Sequence, residues 1–168
     1  IYAYDEVQNV VSVAAPKVDV PATNVNPNRL PGGTYRIACY SNPKFGIDVE
    51  AISTADEANV HVWEYVGGKN QHFNVTFDTD HYNFQAVHSG KNIDLYKAGS
   101  AAGTNVMQYT PDGTAVQNWT LRDAGDGAYY IVNSNGLYLD AANGTIANGT
   151  NVQGWTGNES DAQKWLFI

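Results

Sequence analysis

Three aspartates, Asp48, Asp94 and Asp140, recur at a spacing of 46 residues, each directly after an aliphatic residue (Ile47, Ile93, Leu139). Fifteen positions after each aspartate stands an aromatic residue: Trp63, Tyr109 and Trp155. A carboxylate accepts hydrogen bonds, from a turn or from a ligand, and an aromatic ring offers a flat apolar face. Carboxylates repeated at one long period belong to three separate places. They therefore do not form the pair, roughly 5–10 Å apart across one cleft, that glycoside hydrolysis requires. The other reactive side chains point no further. His72, His81 and His88 lack metal-ligand spacing, and Asp78-Thr79-Asp80 lacks the remaining ligands of a calcium loop. Cys39 is the single cysteine and sits in a strand-like run. Gly-x-Ser-x-Gly, phosphate-loop and His-Glu-x-x-His motifs do not occur. No catalytic residue, metal or cofactor is expected, and the chain reads as a binding protein rather than an enzyme.

The elements that must position these residues share the same period. Gln71-His72-Phe73, Gln117-Asn118-Trp119 and Gln163-Lys164-Trp165 stand 46 apart, as do Asn59-Val60, Asn105-Val106 and Asn151-Val152. Ahead of the aspartates the register slips by one, with Tyr35, Tyr82 and Tyr129 spaced by 47. A drift-free period of this size marks a repeat architecture. Three units follow, at about 33–77, 81–122 and 128–168. The apolar runs are short and rich in Tyr, Trp, Val and Thr, separated by turn residues, so the chain is expected to be all-β. Four strands per unit are read at 34–40, 46–50, 60–65 and 72–77, then at 82–87, 92–96, 105–109 and 118–122, then at 129–133, 137–141, 151–155 and 164–168. A unit of some 45 residues cannot bury its apolar face alone, whereas three closing together can, with the Trp or Phe of each glutamine signature in the core. The signature glutamine is expected to tie neighbouring backbone groups, since a buried amide has donors and an acceptor to spend.

The net charge of −8 is spread along the chain: −1 over 1–32, −2 over 33–77, −2 over 78–124 and −3 over 125–168. Without a basic stripe, nucleic acid and anionic membrane surfaces are not expected partners. No apolar run approaches a membrane span, so membrane insertion is not expected. A lone cysteine rules out an intramolecular disulfide. Residues 1–32 hold four of the six prolines (Pro16, Pro21, Pro27, Pro31) and only one glycine, Gly32. That composition favours extended backbone and predicts a linker or N-terminal extension, with one possible strand at 10–13. The chain begins at Ile1 without a methionine, which reads as a piece of a longer precursor with further domains upstream.

The three in-register copies of Ile/Leu-Asp, Asn-Val-x-x-Trp/Tyr and Gln-x-Trp/Phe resemble the ricin-type lectin family over residues 33–168. The absence of paired cysteines is more similar to its disulfide-free bacterial branch. The resemblance implies a β-trefoil of three pseudo-repeats, four strands each, preceded here by the extended N-terminal segment. It implies binding of galactose-type or N-acetylgalactosamine-type glycans in shallow sites, up to one per repeat, by a secreted or cell-surface protein. In that family the sugar is held by the aspartate, by a polar residue two before the aromatic, by the aromatic itself and by an Asn just before the signature glutamine. Carried over, the first unit offers Asp48, His61, Trp63 and Asn70. The third offers Asp140, Gln153 and Trp155, with Ala162 in place of the Asn and Asp161 or Asn158 as substitutes. The second keeps Asp94 and Tyr109, but Met107 and Val116 occupy both amide positions, so a weak or inactive site is expected there.

Each residue also has a structural reading. The aspartates could hold the following turn and the asparagines could cap loops. His61 could be an exposed strand residue without a role. Trp63 and Trp155 could be core, but Val60 and Val152 lie three positions earlier on the same strands and should point to the opposite face. The alternative for the whole domain is a protein-interaction or protease-inhibitor trefoil that binds no sugar.

Overall fold

The computed structural model describes residues 29–168. The strand expected at 10–13, and the linker reading of residues 1–28, lie outside the described residues. Among the described residues there are thirteen strands and six single-turn 3-10 segments, and no helix is long and apolar enough to cross a membrane.

The strands are β1 (Gly33–Tyr35), β2 (Ile37–Cys39), β3 (Phe45–Val49), β4 (Val60–Glu64), β5 (Phe73–Asp78), β6 (His81–Ala86), β7 (Asn92–Leu95), β8 (Thr104–Tyr109), β9 (Trp119–Gly125), β10 (Ala128–Asn133), β11 (Tyr138–Ala141), β12 (Thr150–Trp155) and β13 (Lys164–Phe167). They follow the expected segments with one addition. The run 34–40 divides at Arg36, because its first half pairs with β5 and its second half with β13 and β3. Arg36 stays hydrogen-bonded at this change of partner. Its N–H donates to the Ile168 carbonyl at 3.0 Å, and its own carbonyl accepts from the Ile168 N–H at 3.1 Å.

Counting β1 and β2 as one rod, six antiparallel strands close into a ring, β1/β2–β5–β6–β9–β10–β13 and back to β2. Closure leaves no unpaired edge in that ring. The other six strands form three hairpins, β3–β4, β7–β8 and β11–β12. The hairpins meet one another where β12 pairs with both β4 and β8, and Asn59 bridges to Met107. A barrel is thus capped by a triplet of hairpins, one from each repeat.

The core sits inside the ring and beneath the cap. Phe73, Trp119 and Trp165, the aromatics of the glutamine signatures, are fully buried. The two indole N–H groups donate to the carbonyls of Ile93 and Leu139, at 3.1 and 2.9 Å. Those are the residues immediately before Asp94 and Asp140, so the core aromatic fixes the strand that carries the aspartate. Truncating such a side chain to alanine costs about 3–5 kcal/mol.

The signature glutamines act on backbone. Gln71 Nε2 donates to the Glu64 carbonyl and its Oε1 accepts from the Val66 N–H. Gln117 does the same with Thr110 and Asp112, and Gln163 with Thr156 and Asn158. Each glutamine thereby satisfies a loop that leaves its hairpin with no strand to pair with.

The repeated asparagines do not cap loops. Asn105 Nδ2 donates to Asn59 Oδ1, Asn151 Nδ2 to Asn105 Oδ1, and Asn59 Nδ2 to Asn151 Oδ1, at 2.9, 2.9 and 3.1 Å. The three amides form a closed cycle where the hairpins meet, each donating once and accepting once. Removing one member leaves both a donor and an acceptor unpaired in a half-buried place. Asn105→Ala should therefore lower stability by about 1–3 kcal/mol in thermal or urea unfolding. A loss within about 0.5 kcal/mol would mean that water replaces the missing amide without penalty.

Candidate functional site

Hairpin register determines what stands beside each aspartate. Asp48 lies directly opposite His61, Asp94 opposite Met107, and Asp140 opposite Gln153. Directly opposed residues on an antiparallel pair share a face and touch. In the first repeat His61 Nε2 donates to Asp48 Oδ1 at 3.0 Å. In the third, Gln153 Nε2 donates to Asp140 Oδ1 at 3.0 Å. The Met107 side chain has no N–H to offer, so Asp94 lacks this bond. The residues two before the aromatic thus position the carboxylate in the first and third repeats and not in the second.

The second carboxylate oxygen is held from the glutamine signature. Gln117 Nε2 reaches Asp94 Oδ2 at 2.9 Å and Gln163 Nε2 reaches Asp140 Oδ2 at 3.1 Å. In the first repeat the neighbouring Asn70 takes that part, donating from Nδ2 to Asp48 Oδ2 at 2.9 Å and to the Val49 carbonyl at 3.0 Å. Asn70 therefore orients Asp48, and its donor group is turned inward on Asp48 and Val49. The third repeat, with Ala162 here, loses little, because Gln163 supplies the donor.

Each aspartate is nearly covered, yet each lies at the floor of an open cleft. A carboxylate has about four acceptor positions, and the side-chain donors take one on each oxygen in the first and third repeats. Burial pushes the Asp94 and Asp140 carboxyls above the usual carboxylate range, partly offset by the glutamine N–H bonds. A carboxylate short of water is ready to accept hydrogen bonds from hydroxyl groups.

The aromatics stand at the cleft walls. Val60 and Val152 are buried, while Trp63 and Trp155 are 37% and 39% exposed. Trp63 lies nearly parallel to the His61 ring, with centroids 5.1 Å apart and planes at 22°. Asp48, His61, Trp63 and Asn70 share one cleft of about 380 Å3 with Glu50, Ile52 and Val66. Asp140, Gln153 and Trp155 share one of about 480 Å3 with Asn143, Asn158 and Asp161. Asp94 and Tyr109 line a third, of about 580 Å3, with Met107 and Val116. Glu57 and Asn135 also line this cleft, one from each neighbouring repeat, and no periodic signal announces them.

The cleft linings contain a feature that the repeated motifs do not signal. One residue beyond the end of each aspartate-bearing hairpin strand, two consecutive residues have positive φ: Ala51-Ile52, Lys97-Ala98 and Asn143-Gly144. Only the last pair carries a turn signature. Ile52, at φ 55°, is β-branched in the left-handed region, where such residues are genuine outliers.

Comparison with known proteins accords with this geometry. The model of the ricin-type beta-trefoil lectin domain-like family matches at residues 24–109, 69–155 and 115–168. The chain belongs to the ricin-type β-trefoil lectin-like family. The designed threefold-symmetric protein ThreeFoil is 35% identical with a TM-score of 0.77, covering 80% of this chain and 97% of that one. The Rhizoctonia solani agglutinin is 25% identical, with a TM-score of 0.75 over 84% of this chain and 98% of that one. The Macrolepiota procera ricin B-like lectin, solved in complex with lactose, shares the fold at 21% identity and a TM-score of 0.71, over 83% of this chain and 96% of that one. No curated protein matches the chain. In ricin-type terms the three clefts are one per repeat, and they differ in how the aspartate is held.

Two outcomes follow for stability. A carboxyl whose folded pKa is raised contributes stability below its unfolded pKa and loses it as pH rises through the folded value. Asp94→Asn keeps an acceptor for Gln117 and removes that loss. Its stability relative to the parent should therefore be higher at about pH 7 than at about pH 3 in paired thermal melts, and an equal difference at both would contradict the cause given. Ile52→Gly should raise stability by about 1 kcal/mol through relief of left-handed strain, and a lower Tm would show that Ile52 packing outweighs it.

Proposed function

We propose that this ricin-type domain binds galactose-type glycans, including N-acetylgalactosamine, through its first and third clefts, and that it serves as the glycan-binding module of a larger secreted or cell-surface protein. The observation that carries the reading is the pair of buried carboxylates, Asp48 and Asp140, each held by a donor on either oxygen beside an exposed tryptophan. Two adjacent hydroxyls of a pyranose can donate to one such carboxylate. The axial O4 of galactose leaves a continuous C–H patch on one face of the ring, which an indole can cover. Lactose, named with the Macrolepiota procera lectin, ends in galactose. The second cleft, with Met107 opposite Asp94 and Val116 in the Asn position, contributes little binding.

Single shallow sites of this type bind at roughly 0.1–1 mM, equivalent to about −4 to −5.5 kcal/mol. Two sites on one domain gain by avidity on a dense glycan surface. The test is a glycan array probed with multivalently displayed protein, followed by titration with free lactose. Binding to terminal galactose structures should be competed by free sugar. Asp48→Ala with Asp140→Ala should abolish it, and Asp94→Ala should leave most of it. Unchanged binding in the double variant would refute the mechanism. A blank array with demonstrably folded protein would favour the protein-interaction reading.

A further inference from the structure

At two positions of the first cleft the residue present leaves the fold worse off locally than its counterparts in the other repeats do. On one wall, Ile52 stands where the other repeats carry Ala98 and Gly144. All three positions have positive φ, and isoleucine is the residue least suited to it. At the rim, Val66 stands where the other repeats carry Asp112 and Asn158. The backbone N–H at all three donates to the signature glutamine, so the main chain runs the same way. The side chains do not. Asp112 Oδ1 accepts from the N–H and hydroxyl of Thr114, and Asn158 Oδ1 accepts from the N–H of Ser160, closing the loop two residues on. Val66 forfeits that closure. Both residues are also left in water, Ile52 at 61% and Val66 at 74% exposure.

Strain at one position, a lost loop closure at the other, and apolar exposure at both have no explanation within the fold. They converge on one place, since Ile52, Val66 and Trp63 line the same cleft as Asp48. We infer that the first cleft has an apolar subsite, built by Ile52 and Val66 beside Trp63, that takes an apolar substituent of the bound glycoside, an alkyl or aryl aglycone next to the sugar ring held by Asp48. The subsite rests on the galactose-binding reading and adds a selectivity that separates the first cleft from the third. In the third, Gly144 and Asn158 leave the corresponding wall small and polar.

The experiment uses the whole chain, labelled for NMR, titrated with methyl β-galactoside and with hexyl β-galactoside. The indole N–H resonances of Trp63 and Trp155 report the two clefts separately. The hexyl compound should bind the first cleft about tenfold tighter than the methyl compound, as burial of a few methylene groups requires. The third cleft should bind both alike. In the variant Ile52→Gly with Val66→Asn, which installs the third repeat's residues, the hexyl-to-methyl ratio at the first cleft should fall to that of the third. A hexyl gain equal at both clefts, or one that survives the variant, overturns the subsite and leaves galactose binding standing. No shift of either indole with either glycoside overturns the galactose reading, and the subsite falls with it. A folded spectrum of the variant, expected because Gly relieves strain at position 52, excludes misfolding as the cause.

Discussion

Three copies of one hairpin must meet, and their meeting is held by the amide cycle of Asn59, Asn105 and Asn151. Each side chain is at once donor to one neighbour and acceptor from the other, so no single repeat can shift without breaking two bonds. The cycle ties β4, β8 and β12 together at their starts. The clefts, further along the same hairpins, are consequently arranged about one centre and face outward. Each of the three aspartates is tied to donors of its own repeat, and neither of the other two enters its cleft.

Repetition separates what the fold demands from what it leaves free. The glutamines take two backbone groups in every copy, and Trp119 and Trp165 each fix the carbonyl before an aspartate. The glutamine positions cannot vary without leaving backbone groups unpaired, while the aromatic position admits Phe73, which buries the ring without that bond. Opposite each aspartate the fold accommodates His61, Met107 or Gln153 in the same register. Only two of them hold the carboxylate. Differences at such permissive positions, rather than identities at the demanded ones, mark where the copies have taken on different chemistry.

Much of this was legible in the sequence. The 46-residue period gave the units, and the alternation of Val60 and Val152 with Trp63 and Trp155 gave the exposed aromatics. The opposition of Asp48 to His61 and of Asp140 to Gln153 could be anticipated through the family pattern. Other features depended on distances that no local pattern carries. The asparagine cycle joins residues 46 and 92 positions apart and exists only once three copies are assembled. The inward turn of Asn70 depends on Val49 lying within reach. The change of partner at Arg36 depends on where β13 returns. The left-handed pairs at Ala51-Ile52 and Lys97-Ala98 carry no turn residue, since tertiary packing imposes a backbone that local preference opposes.

The seam at Arg36 and Ile168 bears on how the domain is made. The barrel closes only when β13 enters between β10 and β2, joining the first strand of the unit to the last. A nascent chain leaving the ribosome can form the earlier hairpins locally. Until β13 has emerged, β10 and β2 keep open edges, and these are the surfaces on which a half-made sheet aggregates. Such long-range closure is also slow, because the loop must be confined before its contacts are gained. The exposed interval in synthesis thus ends with β13, and a slowly translated third repeat would lengthen the dependence on chaperones in the cell.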